Sequence, residues 1–313
     1  MADAFYTQVK DELAHLMPAE QCCRRTELAA LLRACGRISI GGAGRLGCSF
    51  TTDHAPVARK ILRMVKSEFG LTTRLLVARR RRLRKNLVYL VRVPPQPGLA
   101  ELLQASGVTD GEGNLSDWSD LKALEQDHCR RSYLRGTFLG TGWVASPERQ
   151  HHLEMTTTAT EAADELGQLL FRYGIPVRMA YRKDVMVLYI KDGNHIAKFL
   201  NVAGAHQSLM HFEDVRAMKE MKNLVNRQVN AETANLGKTV EASARQVAAL
   251  ERLQAGGGLE RLNEGLQELA TLRLNHPDAS LKELGEMCHP PLGKSGVNHR
   301  MRLLMNLAGD LSE

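Results

Sequence analysis

The chain contains no C-x-x-C pair. Its six cysteines are Cys22, Cys23, Cys35, Cys48, Cys129 and Cys288. Their spacings suggest neither a disulfide framework nor a zinc site. Reduced, mostly buried thiols in a cytoplasmic protein are therefore expected. The first residues hold no apolar signal core, and no run is long enough to span a bilayer, which excludes a membrane-spanning role. His151, His152 and His289 have no ligand partner at metal spacing, and His128 beside Cys129 reads the same way, as a surface or packing residue. No metal and no cofactor are expected. What the chain does have is 313 residues, 43% of them hydrophobic, and a formal net charge of +7 with a pI near 9.2. That length accommodates two or three domains, and the basic balance favours a polyanionic partner.

One stretch occurs twice. Cys23-Arg24-Arg25 followed by 28–36 (LAALLRACG) is answered by Cys129-Arg130-Arg131 followed by 134–142 (LRGTFLGTG). Each reads as a helix with small residues among its apolar ones and a closing glycine, Gly36 or Gly142. A left-handed turn after the helix would suit that glycine. The matches continue in order: 50–53 with 155–158, 58–62 with 165–169, 70–74 with 174–178, and 99–107 with 196–204. The offset between copies shortens along the unit, as small loop deletions in the second copy would cause. Ordered matches of this kind indicate a duplicated domain.

Within each copy the order reads helix, two strands, helix, two strands, helix. In the first, strands are expected at 36–40, 46–52, 72–77 and 87–93, with a helix at 56–69. In the second, strands are expected at 143–146, 152–157, 176–181 and 185–190, with a helix at 161–173. An amphipathic helix at 5–16 precedes them. After Gly204 the pattern is wholly helical: helices at 213–226 and 231–254, a flexible break at Gly256-Gly257-Gly258, and a helix at 259–275. Ser280-Leu281-Lys282-Glu283 forms a capping box. Ser295 is expected to cap a last helix whose core face is Val297, Met301, Leu304 and Ala308. Met218 and Met221 also read as core. The resulting division is 1–107 for the first helix and first repeat, 108–127 for a connector and 128–222 for the second repeat. A helical linker and glycine hinge follow at 223–258, then a helix-turn-helix domain at 259–313 with its motif at about 279–312.

The two glycine-terminated helices resemble the paired helices of LAGLIDADG homing endonucleases. Joined to a C-terminal helix-turn-helix, and with 226–235 (NRQVNAETAN) and 290–300 (PPLGKSGVNHR), the chain resembles the WhiA family of bacterial regulators. The resemblance covers nearly the whole chain. It implies an α+β fold, in which duplicated LAGLIDADG-like αββαββα repeats form a pseudo-twofold saddle followed by an all-α helix-turn-helix domain. It also implies a transcription regulator acting in cell division, chromosome segregation or sporulation.

In the endonucleases an acid precedes the last glycine of each motif helix, and the two acids hold the catalytic divalent metals. Here those positions are Cys35 and Thr141, and the other motif acid is replaced by Arg33 and Leu139. A soft thiol and a neutral hydroxyl are poor ligands for a hard cation such as Mg²⁺. A non-enzymatic protein is the expectation.

DNA contacts are expected at Lys294, Ser295, Asn298, His299, Arg300, Arg302 and Asn306 in the last helix. In a recognition helix, early residues meet base edges in the major groove. A second polyanion surface is expected at Arg79, Arg80, Arg81, Arg82, Arg84 and Lys85, with Arg178, Arg182 and Lys183 in the second copy. A solvated hairpin is the plainer account of that run. The expected partner is double-stranded DNA, with another transcription factor or RNA polymerase as candidate protein partners and no membrane. A monomer follows from the internal duplication and the single reading motif, and a cytoplasmic, nucleoid-associated location is expected. The rival reading is an interaction scaffold of endonuclease descent with only weak DNA binding.

Overall fold

A computed structural model describes residues 4–41, 45–79, 87–110, 112, 114, 116 and 122–310. It divides into two compact units, Met1–Lys219 and Glu220–Glu313.

The first unit opens with α1 (Ala4–His15), an amphipathic helix that buries Phe5, Val9 and Leu13. The first repeat is α2 (Gln21–Cys35), β1 (Gly36–Ile40), β2 (Leu46–Thr52), α3 (Ala55–Phe69), β3 (Arg74–Arg79), β4 (Leu87–Val93) and α4 (Leu99–Ala105). After a 3₁₀ turn at Lys122–Glu125, the second repeat is α5 (Asp127–Thr141), β5 (Trp143–Val144), β6 (Leu153–Thr157), α6 (Thr160–Phe171), β7 (Arg178–Arg182), β8 (Val185–Ile190) and α7 (Gly193–Ala203). Each repeat forms a four-stranded antiparallel sheet, in the orders β1-β2-β4-β3 and β5-β6-β8-β7. The helices bury apolar faces against these sheets. Helix α3 alone buries Val57, Ile61, Met64 and Val65, each contributing about 1.5–3 kcal/mol. Side chains of both repeats share one continuous core.

Helices α2 and α5 pack along their length, and sequence explains how closely. A Cβ on Gly136 would lie 2.5 Å from the Glu27 carbonyl oxygen, and one on Gly140 would lie 2.5 Å from Ala34 Cβ. Small residues on both helices let the backbones touch. The terminal glycines act differently from the expected left-handed turn. Gly36 (φ −89°) and Gly142 (φ −71°) are extended. What they supply is the missing Cβ, which would meet Leu32 O and Phe138 Cδ2 at 2.2 Å.

A buried ionic node also ties the unit together. The Glu27 carboxylate, fully buried, pairs with Lys60 of α3 and with Arg135 of α5, the latter at 2.9 Å. Lys60 Nζ donates to the carbonyls of Leu13 and Leu16, and Arg135 donates to the carbonyl of Ala203 and to Ser132 Oγ. Burial pulls the Lys60 pKa down, against the opposing pull of Glu27.

Residues His206–Ala255 form one continuous helix, α8, where sequence reading expected two. No proline interrupts it. Met218 and Met221, expected in a core, are 56% and 64% exposed. The early end of α8 buries Phe212 in the first unit, and its late end buries Ala249, Leu250 and Leu253 in the second.

The expected helix at 259–275 is a 3₁₀ turn (Leu259–Arg261) followed by α9 (Glu264–Asn275). The Asn263 side chain caps α9 by accepting from Leu266 N. Helix α10 (Leu281–Met287) starts at the Ser280–Glu283 capping box. Leu292 N donates to Gly285 O at 2.8 Å, closing the turn into α11 (Lys294–Asp310). Ser295 lies inside the first turn of α11 rather than capping it, because Val297 N already reaches Gly293 O.

Candidate nucleic-acid interface

The ends of the two motif helices carry no acid. Cys35 Sγ donates to Leu31 O at 3.2 Å, and burial pushes its thiol up to about 11. Thr141 Oγ1 lies 3.5 Å from Thr137 O and accepts from Thr156 N at 3.3 Å. Beside them Arg33 pairs with Glu165 at 2.7 Å and donates to the Tyr133 hydroxyl at 3.1 Å. A neutral thiol, a hydroxyl and a paired arginine make a poor donor set for hard cations.

The first sheet offers a basic face that sequence reading missed. Register places Arg37 opposite Ser49, Ser49 opposite Arg92, and Arg92 opposite Arg74. Directly paired residues project to one face, so three exposed arginines lie in a single row across four strands. Two like charges facing each other across a pair destabilise the sheet slightly, and an anion laid over the row relieves that repulsion. Strand alternation marked these positions as outward, but only pairing register aligns them.

Of the expected basic run, Arg79 ends β3 and is exposed, opposite Leu87. Arg80, Arg81, Arg82, Arg84 and Lys85 lie outside the described residues. In the second repeat Arg178 and Arg182 are the exposed ends of β7, and Lys183 (φ 48°) with Asp184 (φ 65°) forms the two-residue turn into β8. Positive φ at both central residues fits a tight hairpin turn. The row equivalent to the arginines reads Trp143, Glu154, Tyr189 and Arg178. His152 lies between the two aromatic rings, 5.9 Å from each centroid.

In the second unit, Val297, Met301, Leu304 and Ala308 of α11 are buried, as their spacing predicted. They face Leu269 and Ala270 of α9 and Leu284 of α10 within one core. Lys294, Ser295, His299, Arg302 and Asn306 are exposed, and Asn298 is half-buried at the flank. Arg300 departs from the expected reading set. It is half-buried and its Nη1 donates to Gly265 O at 3.2 Å, holding α11 to α9. None of the described helices is long and apolar enough to cross a membrane.

Comparison with known proteins finds three family models along the chain. Residues 21–109 match the model of the WhiA N-terminal LAGLIDADG-like domain, 130–222 that of the WhiA LAGLIDADG-like domain, and 225–308 that of the WhiA C-terminal HTH domain. The "Probable cell division protein WhiA" of Symbiobacterium thermophilum is 58% identical over 308 residues, covering 98% of both chains. The protein of the same name from Heliobacterium modesticaldum is 46% identical, covering 97% of this chain and 96% of its own. The crystal structure of full-length DUF199/WhiA from Thermatoga maritima superposes with a TM-score of 0.60 at 22% identity, covering 98% of each chain, and shares the fold. Three domain models matched in chain order, and relatives of this identity over nearly the whole length, establish that the chain belongs to the WhiA family.

Proposed function

We propose that this chain is a non-enzymatic, sequence-specific DNA-binding regulator of transcription, acting in cell division and, with it, chromosome segregation or sporulation. The observation that carries the reading is the division of α11. Its apolar stripe is wholly buried while Lys294, Ser295, His299, Arg302 and Asn306 stand exposed on one short helix. Exposed polar residues at the start of the second helix of a helix-turn-helix are placed to meet base edges. Arg302 would pair with guanine, and Lys294, at the helix start, with phosphate. The arginine row of the first sheet adds sequence-independent affinity. The protein would act as a monomer in the cytoplasm, on the nucleoid, at an asymmetric DNA element, with another transcription factor or RNA polymerase as protein partner.

Selection of the preferred DNA site, followed by binding of Arg302→Ala and Lys294→Ala to that site and to scrambled DNA, tests this. The arginine change should remove about 1–3 kcal/mol of preference. The lysine change should weaken both DNAs alike and lower the salt slope by about one. Site preference that survives Asn298→Ala, His299→Ala and Arg302→Ala would contradict it. The non-enzymatic part is tested with supercoiled plasmid and Mg²⁺ or Mn²⁺. The plasmid should stay intact, and nicking that persists through repurification and vanishes on mutation around Cys35 and Thr141 would overturn it. A second reading, a scaffold with weak DNA affinity, draws on the Trp143–Tyr189 patch. It predicts that DNA binding barely changes when the terminal helix is altered.

A further inference from the structure

The end of the helix pair away from Cys35 and Thr141 is built from chemistry that the regulatory reading does not use. Cys22 and Cys23 are the second and third residues of α2, and His128 and Cys129 are the second and third residues of α5. Cys22 and His128 are 106 positions apart, and the same offset relates Cys23 to Cys129. The duplication therefore brings two adjacent pairs together across the pseudo-twofold axis. His128 Nδ1 lies 3.1 Å from Cys23 Sγ, 3.3 Å from Cys129 Sγ and 3.9 Å from Cys22 Sγ, and all four donor atoms fall within 4.8 Å of one another. Cys23 and Cys129 are buried, while Cys22 and His128 are exposed and leave a path for entry. Local spacing gave no hint of this cluster, because its halves come from different copies.

From these positions we infer that Cys22, Cys23, Cys129 and His128 form a tetrahedral Zn²⁺ site that staples the two motif helices. Zinc with three thiolates and one imidazole is a recurrent closed, structural donor set. Zn–S of 2.3 Å and Zn–N of 2.0–2.1 Å place tetrahedral donor atoms about 3.5–3.8 Å apart, so shifts of a few tenths of an ångström to about one ångström close the site. Binding balances as Zn²⁺ displacing three thiol protons to solvent and the Nδ1 lone pair of neutral His128 filling the fourth position, which leaves one net negative charge. Two helix N-termini converge on that charge, and their unpaired amides favour it.

The layer behind the donors repeats the symmetry. Thr26 and Ser132, both buried and related by the same offset, donate to the carbonyls of Cys22 and His128 at 2.8 and 3.0 Å. Arg135 holds the Ser132 hydroxyl at 3.0 Å and Glu27 at 2.9 Å, linking the cluster to the buried ionic node. Such supporting bonds fix the orientation of metal-bearing turns. The three soft thiolates and the imidazole favour zinc over the hard cations that the vanished acids would have held. One end of an endonuclease-like helix pair would thus have lost a catalytic metal site, while the other carries a structural one.

The test is metal analysis of the full chain, purified under reducing conditions without chelator. One zinc per chain is expected. After stripping, titration with Co²⁺ should produce thiolate-to-cobalt charge-transfer absorption and the intense visible bands of a tetrahedral site, both abolished by stoichiometric zinc. Zinc should raise the unfolding temperature of the stripped protein, since it binds the folded chain. Cys23→Ser/Cys129→Ser should bind none, whereas Cys48→Ser, buried elsewhere, should bind normally. If the double variant fails to fold, His128→Ala and Cys22→Ser replace exposed side chains and still report on the site. Each should weaken zinc by more than the roughly 10–100-fold that a supporting partner costs. Negligible zinc together with no cobalt band in reduced protein overturns the inference. So does zinc binding indifferent to His128→Ala and Cys22→Ser, a Cys23–Cys129 disulfide that takes no metal after reduction, or iron and sulfide in place of zinc.

Discussion

The two sheets share one strand order and equivalent registers, yet their outward rows differ in kind. In the first, Arg37, Ser49, Arg92 and Arg74 line up; in the second, Trp143, Glu154, Tyr189 and Arg178 occupy the corresponding places. Only the last position carries the same residue type. Beneath the sheets the copies also diverge at single points while keeping their shape. Glu27 of α2 corresponds to Tyr133 of α5, and Ala30 and Ala34 correspond to Gly136 and Gly140. Duplication has preserved the backbone contact at the axis, because close packing tolerates little change there. The outward rows differ in chemistry: three exposed arginines in the first, and half-buried Trp143, Glu154 and Tyr189 beside exposed Arg178 in the second.

The sharpest break between the copies is Glu27 against Tyr133, and it should give the largest effect. Glu27→Gln leaves Lys60 and Arg135 without their shared carboxylate in a dry interior. Removing one partner of a buried ion pair costs about 3–5 kcal/mol. Tyr133→Phe removes only the hydroxyl that Arg33 reaches, and Arg33 keeps Glu165. That change should cost about 0.5–1.5 kcal/mol. Urea denaturation of both variants measures the gap. Equal losses would mean that the node contributes no more than an ordinary hydrogen bond.

A second asymmetry lies in the helix contact itself. Gly136→Ala would drive a methyl onto the Glu27 backbone and separate α2 from α5, at about 1–3 kcal/mol for overpacking. The corresponding change on the other helix, Ala30→Gly, removes a buried methyl and loosens a helix, at about 1 kcal/mol. Thermal unfolding should rank Gly136→Ala as the worse. The opposite ranking would place the close approach elsewhere along the pair.

These positions also mark what the sequence could tell. The ordered repeat revealed both αββαββα units, and β1, β2 and β4 fall where alternation placed them. The buried face of α11 was equally readable, because 3.6-residue periodicity suffices for one helix against one core. Quantities that join distant positions were not readable. The Arg37–Arg92–Arg74 row depends on strand register, the Glu27 node on three helices meeting, and the Cys–His cluster on the two copies facing each other. Helix α8 was misread for a different reason. Its middle is exposed, so no apolar stripe signals continuity, and propensity alone carries it between its two buried ends.

The two rows can be compared directly on DNA. Each phosphate contact contributes about 0.9 to the dependence of log affinity on log salt. Replacing Arg37, Arg74 and Arg92 together by Ala should lower that slope by about two to three, with little change in site preference. Arg178→Ala, the one arginine of the equivalent row, should lower it by about one at most. Slopes that fall equally would make the two sheets alike in function. A slope unmoved by the triple change would remove the first sheet from the DNA interface.

The smallest expected effect concerns one histidine in each copy. Burial lowers the pKa of His54, opposed by Asp11 and Asp53 and reinforced by Lys10 and Arg59. Burial likewise lowers that of His151, reinforced by Arg216 and Lys219 and opposed by Asp192 and Glu213. A folded-state pKa below the ordinary value of about 6.5 means that the unfolded chain binds the proton more readily. Each histidine therefore contributes stability that is fully present above that value and is lost as pH falls from there through the lowered folded-state value. His54 is the more enclosed and has Asp11 at 3.3 Å from its Nε2. The loss per residue should be small, because both rings remain partly solvated. Melting temperatures of chelator-treated protein, measured from pH 7.5 down to pH 5.5 to stay above the carboxylate range, should decline in the unaltered chain. They should decline less in His54→Gln and in His151→Gln. A decline unchanged by both substitutions would assign the acid sensitivity to other groups and leave the two copies equal in this respect.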